Sequence, residues 1–338
     1  MINIVNIINT EKLKNFNINI KLNFKKNLRN LILLLMIIIM ISIFSIIKPI
    51  FISLQSMMNM VNAISVLSIG ALAMSLAILV GGLDLSIGSS LGLSAVCAAL
   101  VVNITNNPFL GFITAILVAS SVGFFNGILI GKLKINTIIL TLGMLSILRS
   151  LDLVFSNNDS IRVNNKVFNW IGGHVIATNR GNIPVSIFLI LFLYLLLYLL
   201  LNNTVLGRRF TAIGVNNNAA KTAGIIVDKN IILIYLLIGF FIGVGSIVEI
   251  GIVSSATVQA GVGLEFDAVT AVVLGGASLN GGKLDIKSTF LGVFLIGVII
   301  NGMALLNIYV YAGLIFKGLL LLFAIFLNNL FDKFQVEY

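Results

Sequence analysis

Charged residues are scarce in this chain of 338 residues, since Asp, Glu, Lys and Arg together make up 9% of it, against roughly 25% in a soluble domain. Hydrophobic residues make up 59%. Such a composition predicts a polytopic helical membrane protein rather than a soluble protein with a large core. The apolar residues stand in unbroken runs without the alternating polarity of barrel strands, which argues against an outer-membrane barrel.

Residues that carry catalytic chemistry are also rare. The chain has one histidine, His174, and one cysteine, Cys97, in different segments. Two such residues cannot build a histidine–metal site or a thiol–histidine pair, and one cysteine excludes a disulfide framework. The nearest approach to a phosphate loop is ASLNGGKL at 277–284, which lacks the initial Gly and the final Ser or Thr of that pattern. We therefore expect no enzyme, no bound ATP and no metal or other cofactor in this chain.

Ten apolar runs are long enough to cross a bilayer, at about 20 residues each. They lie near 31–47, 59–80, 85–103, 109–131, 136–155, 184–201, 231–250, 256–280, 287–306 and 309–328. The predicted fold is therefore all-α and polytopic, with about ten transmembrane helices, some of them broken. Residues 1–30 are predicted to be a cytoplasmic tail and 31–330 a single transmembrane domain. The run 256–280 is predicted either to cross as a broken helix or to enter and return.

The net charge of +10 comes from basic residues between the apolar runs, which predicts contact with membrane lipid rather than nucleic acid. Ten spans with a cytoplasmic N-terminus place fifteen basic residues inside and four outside. This bias predicts that both termini are cytoplasmic. The loop 156–183 is then external and the loop 202–230 internal.

Two polar, glycine-rich stretches interrupt the apolar runs, GGLDLSIGSSLG at 81–92 and GVGLEFDAVTAVVLGGASLNGGK at 261–283. They carry Asp84, Glu265 and Asp267. Because hydrocarbon offers no partner to a carboxylate, these stretches must face protein or water. Such breaks are typical of a translocation path or a tight helix contact, so we interpret the chain as a transport protein.

Several of these residues have two interpretations. Asp84 is predicted to cap the helix that follows it, to control the inner mouth of a path, or both. Arg149 and Asp152 are three residues apart and either pair structurally or line a pore. Asp267 is the predicted cap of a helix over 268–274, and Glu265 the predicted gate or partner contact.

Small residues spaced four apart predict close approach of helices. They are Gly88 with Gly92, Gly123 with Gly127 and Gly131, and Gly239 with Gly243. Packing within one chain is the first interpretation, and a subunit interface is the second.

Three motifs resemble those of the ribose-type sugar permeases of bacterial ABC importers. They are GGLDLSIGS at 81–89, LGRRFTAIGVNNNAAKTAGIIV at 206–227 and SSATVQAGVGLEFDAVTAVVLGGASLNGGK at 254–283, and the spacing to Asn301-Gly302 matches as well. The resemblance implies a multi-pass homodimer in the bacterial cytoplasmic membrane, driven by a separate ATP-binding subunit. It also implies an extracytoplasmic sugar-binding protein, in which selection among ribose and related solutes largely lies.

The same resemblance implies two groups of functional residues. The segment 206–227 is expected to couple to the ATP-binding subunit, with these residues involved: Gly207, Arg208, Gly214, Asn216, Ala219, Ala220 and Gly224. The expected path residues are Asp84, Ser86, Asn126, Glu265, Asp267 and Asn301.

Two other function classes stay open at this point. An ion-gradient-driven secondary transporter would use Asp84 or Asp267 as the ion-coupling acid. A membrane scaffold that transports nothing would leave the paired polar breaks without a purpose.

Overall fold

The computed structural model describes residues 30–178, 181–308 and 310–336, so residues 1–29 of the predicted tail lie outside the described residues. The described chain is mainly helical. The helices are α1 Asn30–Ile47, α2 Leu54–Ala63, α3 Ser65–Leu79, α4 Ile87–Thr105, α5 Pro108–Gly131, α6 Thr137–Ser156, α7 Lys166–Gly172, α8 Ser186–Asn203, α9 Val205–Val215, α10 Asn217–Thr222, α11 Val227–Val253, α12 Leu264–Leu274, α13 Ile286–Leu305 and α14 Val310–Val336.

Four short strands form two small antiparallel ladders. They are β1 Ile161–Arg162, β2 Val175–Thr178, β3 Gly181–Pro184 and β4 Ser255–Ala256. Strand β1 pairs with β4, which places Ile161 opposite Ala256, and β2 pairs with β3. The first ladder joins two segments that are far apart in sequence, so it ties the loop after α6 to the end of α11.

Seven of the described helices are long and apolar enough to cross a membrane: α1, α4, α5, α6, α8, α11 and α13. The predicted span 59–80 is one of the broken helices, because α2 and α3 meet at a bend of 45° and form an eighth crossing only as a pair. Polar residues recur along α2, whereas α3 is buried along its whole length. Helix α14 contains a further, shorter apolar stretch, Ala312–Phe326, so the described helices are roughly consistent with the predicted ten spans.

Helices α3, α4 and α11 are among the most buried helices of the bundle, and α5 packs along α11. Helices α5 and α11 lie in close contact, since a Cβ added at Gly127 would lie 2.8 Å from the Ile232 Cα and one at Gly243 would lie 2.7 Å from the Ile116 Cα. Glycine removes the side chain that would hold two helix backbones apart. The predicted packing of these glycines within one chain is confirmed.

The two ends of the bundle gather different segments. At one end β1 pairs with β4, and α7 lies against the end of α11, where Gly172 and Gly251 meet. At the other end the Gly282 backbone N–H donates to the Leu79 carbonyl at 2.9 Å, and Lys134 pairs with Asp228. This grouping matches the predicted division between external and internal segments.

The run 256–280, which was predicted either to cross as a broken helix or to enter and return, connects these two ends. Its first residue pairs with β1, and Gly282, just beyond its last residue, bonds to the end of α3. Between them α12 supplies only 11 helical residues, or about 16 Å of length, and irregular backbone supplies the rest. The structure therefore favours a broken crossing over a re-entrant loop.

Candidate functional site

Three of the predicted path residues meet in a buried polar cluster between α4, α5 and the turn before α4. Asp84 Oδ1 accepts hydrogen bonds from the Ser86 backbone N–H at 2.9 Å and the Ser86 hydroxyl at 2.6 Å. Asn126 on α5 donates from Nδ2 to the same hydroxyl oxygen at 3.2 Å. Asp84, Ser86 and Asn126 are each at most 2% exposed. The prediction that Asp84 caps the next helix is wrong, because α4 begins at Ile87 with Ser86 as its N-cap residue and has no side-chain cap. Asp84 instead stabilises the turn at Ser86.

This cluster has unused hydrogen-bonding capacity. Asn126 Oδ1 and the Tyr235 hydroxyl are buried without a hydrogen-bond partner among the described residues. A narrow cavity bordered by α4, α5 and α11 touches Asp84, Ser86 and Asn126, and its size suits about one water molecule. Asp84 lies in the turn between two helices, where burial raises the pKa of its carboxyl and the bonds from Ser86 lower it less. These groups can bind a hydroxyl or a water once a passage opens beside them.

The second group of polar residues surrounds the start of α12. Gly263, with φ +79°, precedes the helix, and both Glu265 and Asp267 lie in its first turn. The prediction that Asp267 caps a helix beginning at Ala268 is therefore wrong. Asp267 Oδ2 instead accepts a hydrogen bond from Lys317 Nζ on α14 at 2.6 Å. The pair holds α14 against α12 and balances two charges that apolar surroundings would penalise singly.

Glu265 faces the opposite side, toward α4. It is 6% exposed, and a Cβ added at Gly88 would lie 2.5 Å from its Oε2 atom. The same Cβ would overlap the Gly261 carbonyl oxygen. Gly88 therefore serves close approach within one chain, as predicted, but to a loop and a carboxylate rather than to another helix.

Arg149 and Asp152 form the predicted pair on α6, at 3.2 Å between Nη1 and Oδ2. The pair lies over Gly92, where an added Cβ would be 2.7 Å from Asp152 Oδ2. Structural pairing, one of the two predicted interpretations, is thus confirmed.

Asn301 does not join the other path residues. Its Nδ2 atom donates to the Ser56 hydroxyl oxygen at 3.1 Å and so ties α13 to α2. The predicted path residues therefore fall into three separate groups: the Asp84 cluster, the start of α12 and the α2–α13 contact.

The predicted coupling segment folds into two short helices, α9 and α10. Asn216 caps α10 by accepting from the Asn218 and Ala219 backbone N–H groups, each at 3.0 Å. Gly224 follows the helix with φ +81°. The predicted short helix with an Asn cap and a Gly end is confirmed. Helix α9, over Val205–Val215, was missed, although Thr204 signals its start: the Thr204 hydroxyl oxygen accepts from the Gly207 backbone N–H at 3.2 Å.

The small residues of this segment have different surroundings. Arg208, Asn216, Ala219 and Gly224 are exposed, so they are available to a partner. Ala220 is 3% exposed and packs into the chain's own core. Ala220, one of the expected coupling residues, is therefore not available to a partner, because its methyl group is already covered.

Glycines fix the same segment to the bundle. Gly207 is buried against Leu201, and a Cβ at Gly214 would lie 2.6 Å from the Gly282 nitrogen. Movement of α9 would therefore displace the end of α3 and the loop between α12 and α13.

Comparisons with known proteins place this arrangement in a family. Residues 56–325 match the family model described as branched-chain amino acid transport system / permease component. The chain belongs to this permease family.

Individual relatives agree with that assignment. The ribose import permease protein RbsC of Escherichia coli (strain K12) is 34% identical over 266 residues, which is 78% of this chain and 82% of the relative. The L-arabinose ABC transporter permease protein AraH of Azospirillum brasilense is 31% identical over 265 residues, 78% of this chain and 76% of the relative. RbsC of Bacillus subtilis (strain 168) is 34% identical over 262 residues, 77% and 80% respectively. No solved structure matches the chain.

The resemblance to ribose-type ABC permeases is thereby confirmed. The permease is a multi-pass membrane protein and a transport component rather than an enzyme. Membership of an importer family implies ATP-binding and substrate-binding partners for it.

Two functional contacts of the permease were missed by sequence reasoning. The first is the pair of Lys317 and Asp267. These residues carry opposite charges in two predicted spans, and that complementarity could have indicated their pairing. The contact of Arg149 with the loop before α12 left no such signal, because its acceptors are backbone carbonyls.

Proposed function

We propose that the chain forms the translocation path for a ribose-like monosaccharide in a bacterial ABC importer. The ribose and L-arabinose permeases named above, which align over about four fifths of the chain, carry this proposal. Both substrates named there are pentoses, so a polyhydroxylated solute of that size is the expected cargo. The chain itself holds no ATP in this proposal, because residues 277–284 depart from the phosphate-loop pattern at both ends.

The proposed path runs beside two of the polar groups described above. Asp84, Ser86 and Asn126 lie on one side of α4, and Glu265 lies against Gly88 on the same helix. Their oxygen and amide groups can exchange hydrogen bonds with sugar hydroxyls. A passage of this kind need not bind sugar tightly, because it is differential contact with two conformations that couples the transport cycle.

The partners are assigned to opposite ends of the bundle. An ATP-binding subunit is proposed to dock on the exposed residues of α10, and an extracytoplasmic sugar-binding protein on the 156–183 side. The positive-inside bias supports a cytoplasmic α10 end, cytoplasmic termini and residence in the bacterial inner membrane. A homodimer completes the proposed assembly.

Uptake by a reconstituted complex tests this proposal. The chain is co-reconstituted into liposomes with its ATP-binding subunit and loaded binding protein, and uptake of labelled ribose is measured with and without excess unlabelled pentoses or amino acids. We expect uptake that pentoses inhibit and amino acids leave unchanged. Inhibition by branched-chain amino acids alone would contradict the sugar assignment. Native mass spectrometry of the complex should show two copies of the permease.

One observation favours a second candidate, an ion-gradient-driven transporter. Asp84 is buried, and no cationic side chain among the described residues pairs with it. A buried carboxylate of this kind can serve as an ion-coupling acid. Asp267 does not share this property, because Lys317 already neutralises it.

A further inference from the structure

The loop 257–263, between β4 and α12, is fastened to α6 by one side chain. Arg149 Nη1 lies 3.3 Å from the Val258 carbonyl oxygen and 3.0 Å from the Ala260 carbonyl oxygen. These carbonyls belong to a turn segment and not to a regular helix. Ala260 is buried, and a buried backbone carbonyl requires a hydrogen-bond donor, which the guanidinium supplies.

Arg149 itself is held in place by a buried counter-charge. Asp152, whose side chain is fully buried, accepts from the same Nη1 atom. Hydrogen bonds from a charged donor are stronger than neutral ones, and the carboxylate keeps the cation from being an isolated charge among apolar helices. The two hydrogens of Nη1 are shared among three acceptors, which are Asp152 Oδ2 and the two loop carbonyl oxygens. The ion pair alone would need no contact with the loop, so the carbonyl contacts are an additional function of Arg149.

Helix α4 provides the space for this arrangement. A Cβ at Gly92 would lie 3.1 Å from Arg149 Nη1 and 3.2 Å from the Ala260 carbonyl oxygen. One turn earlier, Gly88 meets Gly261, which adopts φ +72°. The loop is therefore packed against α4 at two successive glycines while Arg149 holds it from the side of α6.

The outer end of the loop is tied down as well. Ala256 pairs with Ile161 in the β1–β4 ladder, and the Val163 backbone N–H donates to the Ser254 carbonyl at 3.0 Å. The inner end continues directly into α12 and Glu265. Arg149 thus acts on the stretch between a fixed ladder and the helix that carries the proposed gate.

We propose that Arg149 is a positioning residue of the translocation path, which holds loop 257–263 against α4 and so sets the place of Glu265 at the start of α12. The proposal rests on the proposed function only in placing this loop beside the path. When the hydrogen bonds from Arg149 to the loop are lost, the loop can move between the β1–β4 ladder and α12. Glu265 then loses its fixed position against Gly88.

Cysteine accessibility measures the loop position directly. In a full-length Cys97→Ala background, Ala260→Cys reports on a loop residue that is 2% exposed, and Gln259→Cys is the exposed control. A membrane-impermeant methanethiosulfonate probes both in the assembled complex. Lost charge-assisted hydrogen bonds increase the open population by about tenfold, so Arg149→Met should speed modification at 260 by about that factor.

Matched variants separate positioning from general damage. Arg149→Lys keeps the charge and should give an intermediate rate, whereas Lys134→Met removes a cation at the other end of the bundle and should leave the rate unchanged. Only variants with the monodisperse elution of the parent protein are compared. Sugar uptake by Arg149→Met should fall while ATP hydrolysis by the complex continues.

The outcomes decide the proposal in the following way. A wild-type modification rate at 260 in folded Arg149→Met and Arg149→Lys overturns it, because the loop would then hold its place without the guanidinium. Faster modification with undiminished uptake also overturns it, since the loop would lie outside the path. A wild-type complex that takes up no sugar refutes the proposed function instead, and the modification rates still decide whether Arg149 holds the loop.

Discussion

Replacing Gly88 by alanine changes the contact on which the candidate site depends. The added Cβ would lie 2.5 Å from Glu265 Oε2 and would overlap the Gly261 carbonyl oxygen. An ordinary contact begins at 3.4 Å, so the carboxylate must retreat by about 0.9 Å and the loop backbone must move with it. One of the two obstacles is the backbone carbonyl of Gly261, which, unlike a side chain, cannot change rotamer to make room.

Two opposing effects determine the expected magnitude. Alanine is favoured over glycine within a helix by about 1 kcal/mol, whereas overpacking of a tight contact costs about 1–3 kcal/mol, occasionally more. We expect Gly88→Ala to lower the free energy of unfolding by up to about 2 kcal/mol, because here the contact is with backbone. Gly143→Ala on α6 is the matched control, since no atom lies within 4 Å of its added Cβ and only the helix gain of about 1 kcal/mol applies.

Thermal unfolding of the purified variants in one detergent compares these changes. Gly88→Ala should lower the unfolding midpoint and Gly143→Ala should leave it unchanged or raise it. Gly88→Ala should lose more sugar uptake than the decrease in its unfolding midpoint explains, because Glu265 is displaced. A Gly88→Ala midpoint at or above that of Gly143→Ala would refute the close packing of α4 against the loop.

Three further predictions concern charge, coupling and topology. Lys317→Met should reduce the yield of folded protein by stranding a carboxylate, and adding Asp267→Asn should restore it; a double variant as poor as the single one would show that the pair does not matter. Ala219→Trp on the exposed face of α10 should leave stability intact but weaken stimulation of ATP hydrolysis by loaded binding protein, whereas Ala220→Trp should lower the unfolding midpoint; equal effects would contradict their different burial. A cysteine at Asn165 in a Cys97-free chain should react with an impermeant maleimide added outside intact cells, and reaction only after permeabilisation would reverse the orientation.

Much of the fold follows from patterns that the membrane imposes. The long runs at 109–131 and 231–250 predicted α5 and α11 well, since length and hydropathy decide where a helix can cross. The bend between α2 and α3 escaped because the predicted run began at residue 59, so the first half of α2, the more polar of the two helices, was left out of it.

The candidate site was predictable in its residues and less so in its contacts. The breaks at 81–92 and 261–283 identified Asp84 and Glu265, because a carboxylate within an apolar run requires a polar partner or water. Their partners come from distant segments: Asn126 reaches Ser86 from α5, and Lys317 reaches Asp267 from α14. Asp267 was assigned as a cap on local grounds, and a tertiary ion pair outweighed that local preference.

The energy source of uptake tests the central claim most directly. Proteoliposomes that contain the permease, its ATP-binding subunit and the loaded binding protein are filled either with ATP or with a non-hydrolysable analogue, and proton and sodium gradients are either imposed or collapsed. The account predicts sugar uptake only with hydrolysable ATP, unchanged when both gradients are collapsed, and none by the permease alone. Uptake by the permease alone under an ion gradient, without ATP, would contradict it and establish the ion-coupled alternative.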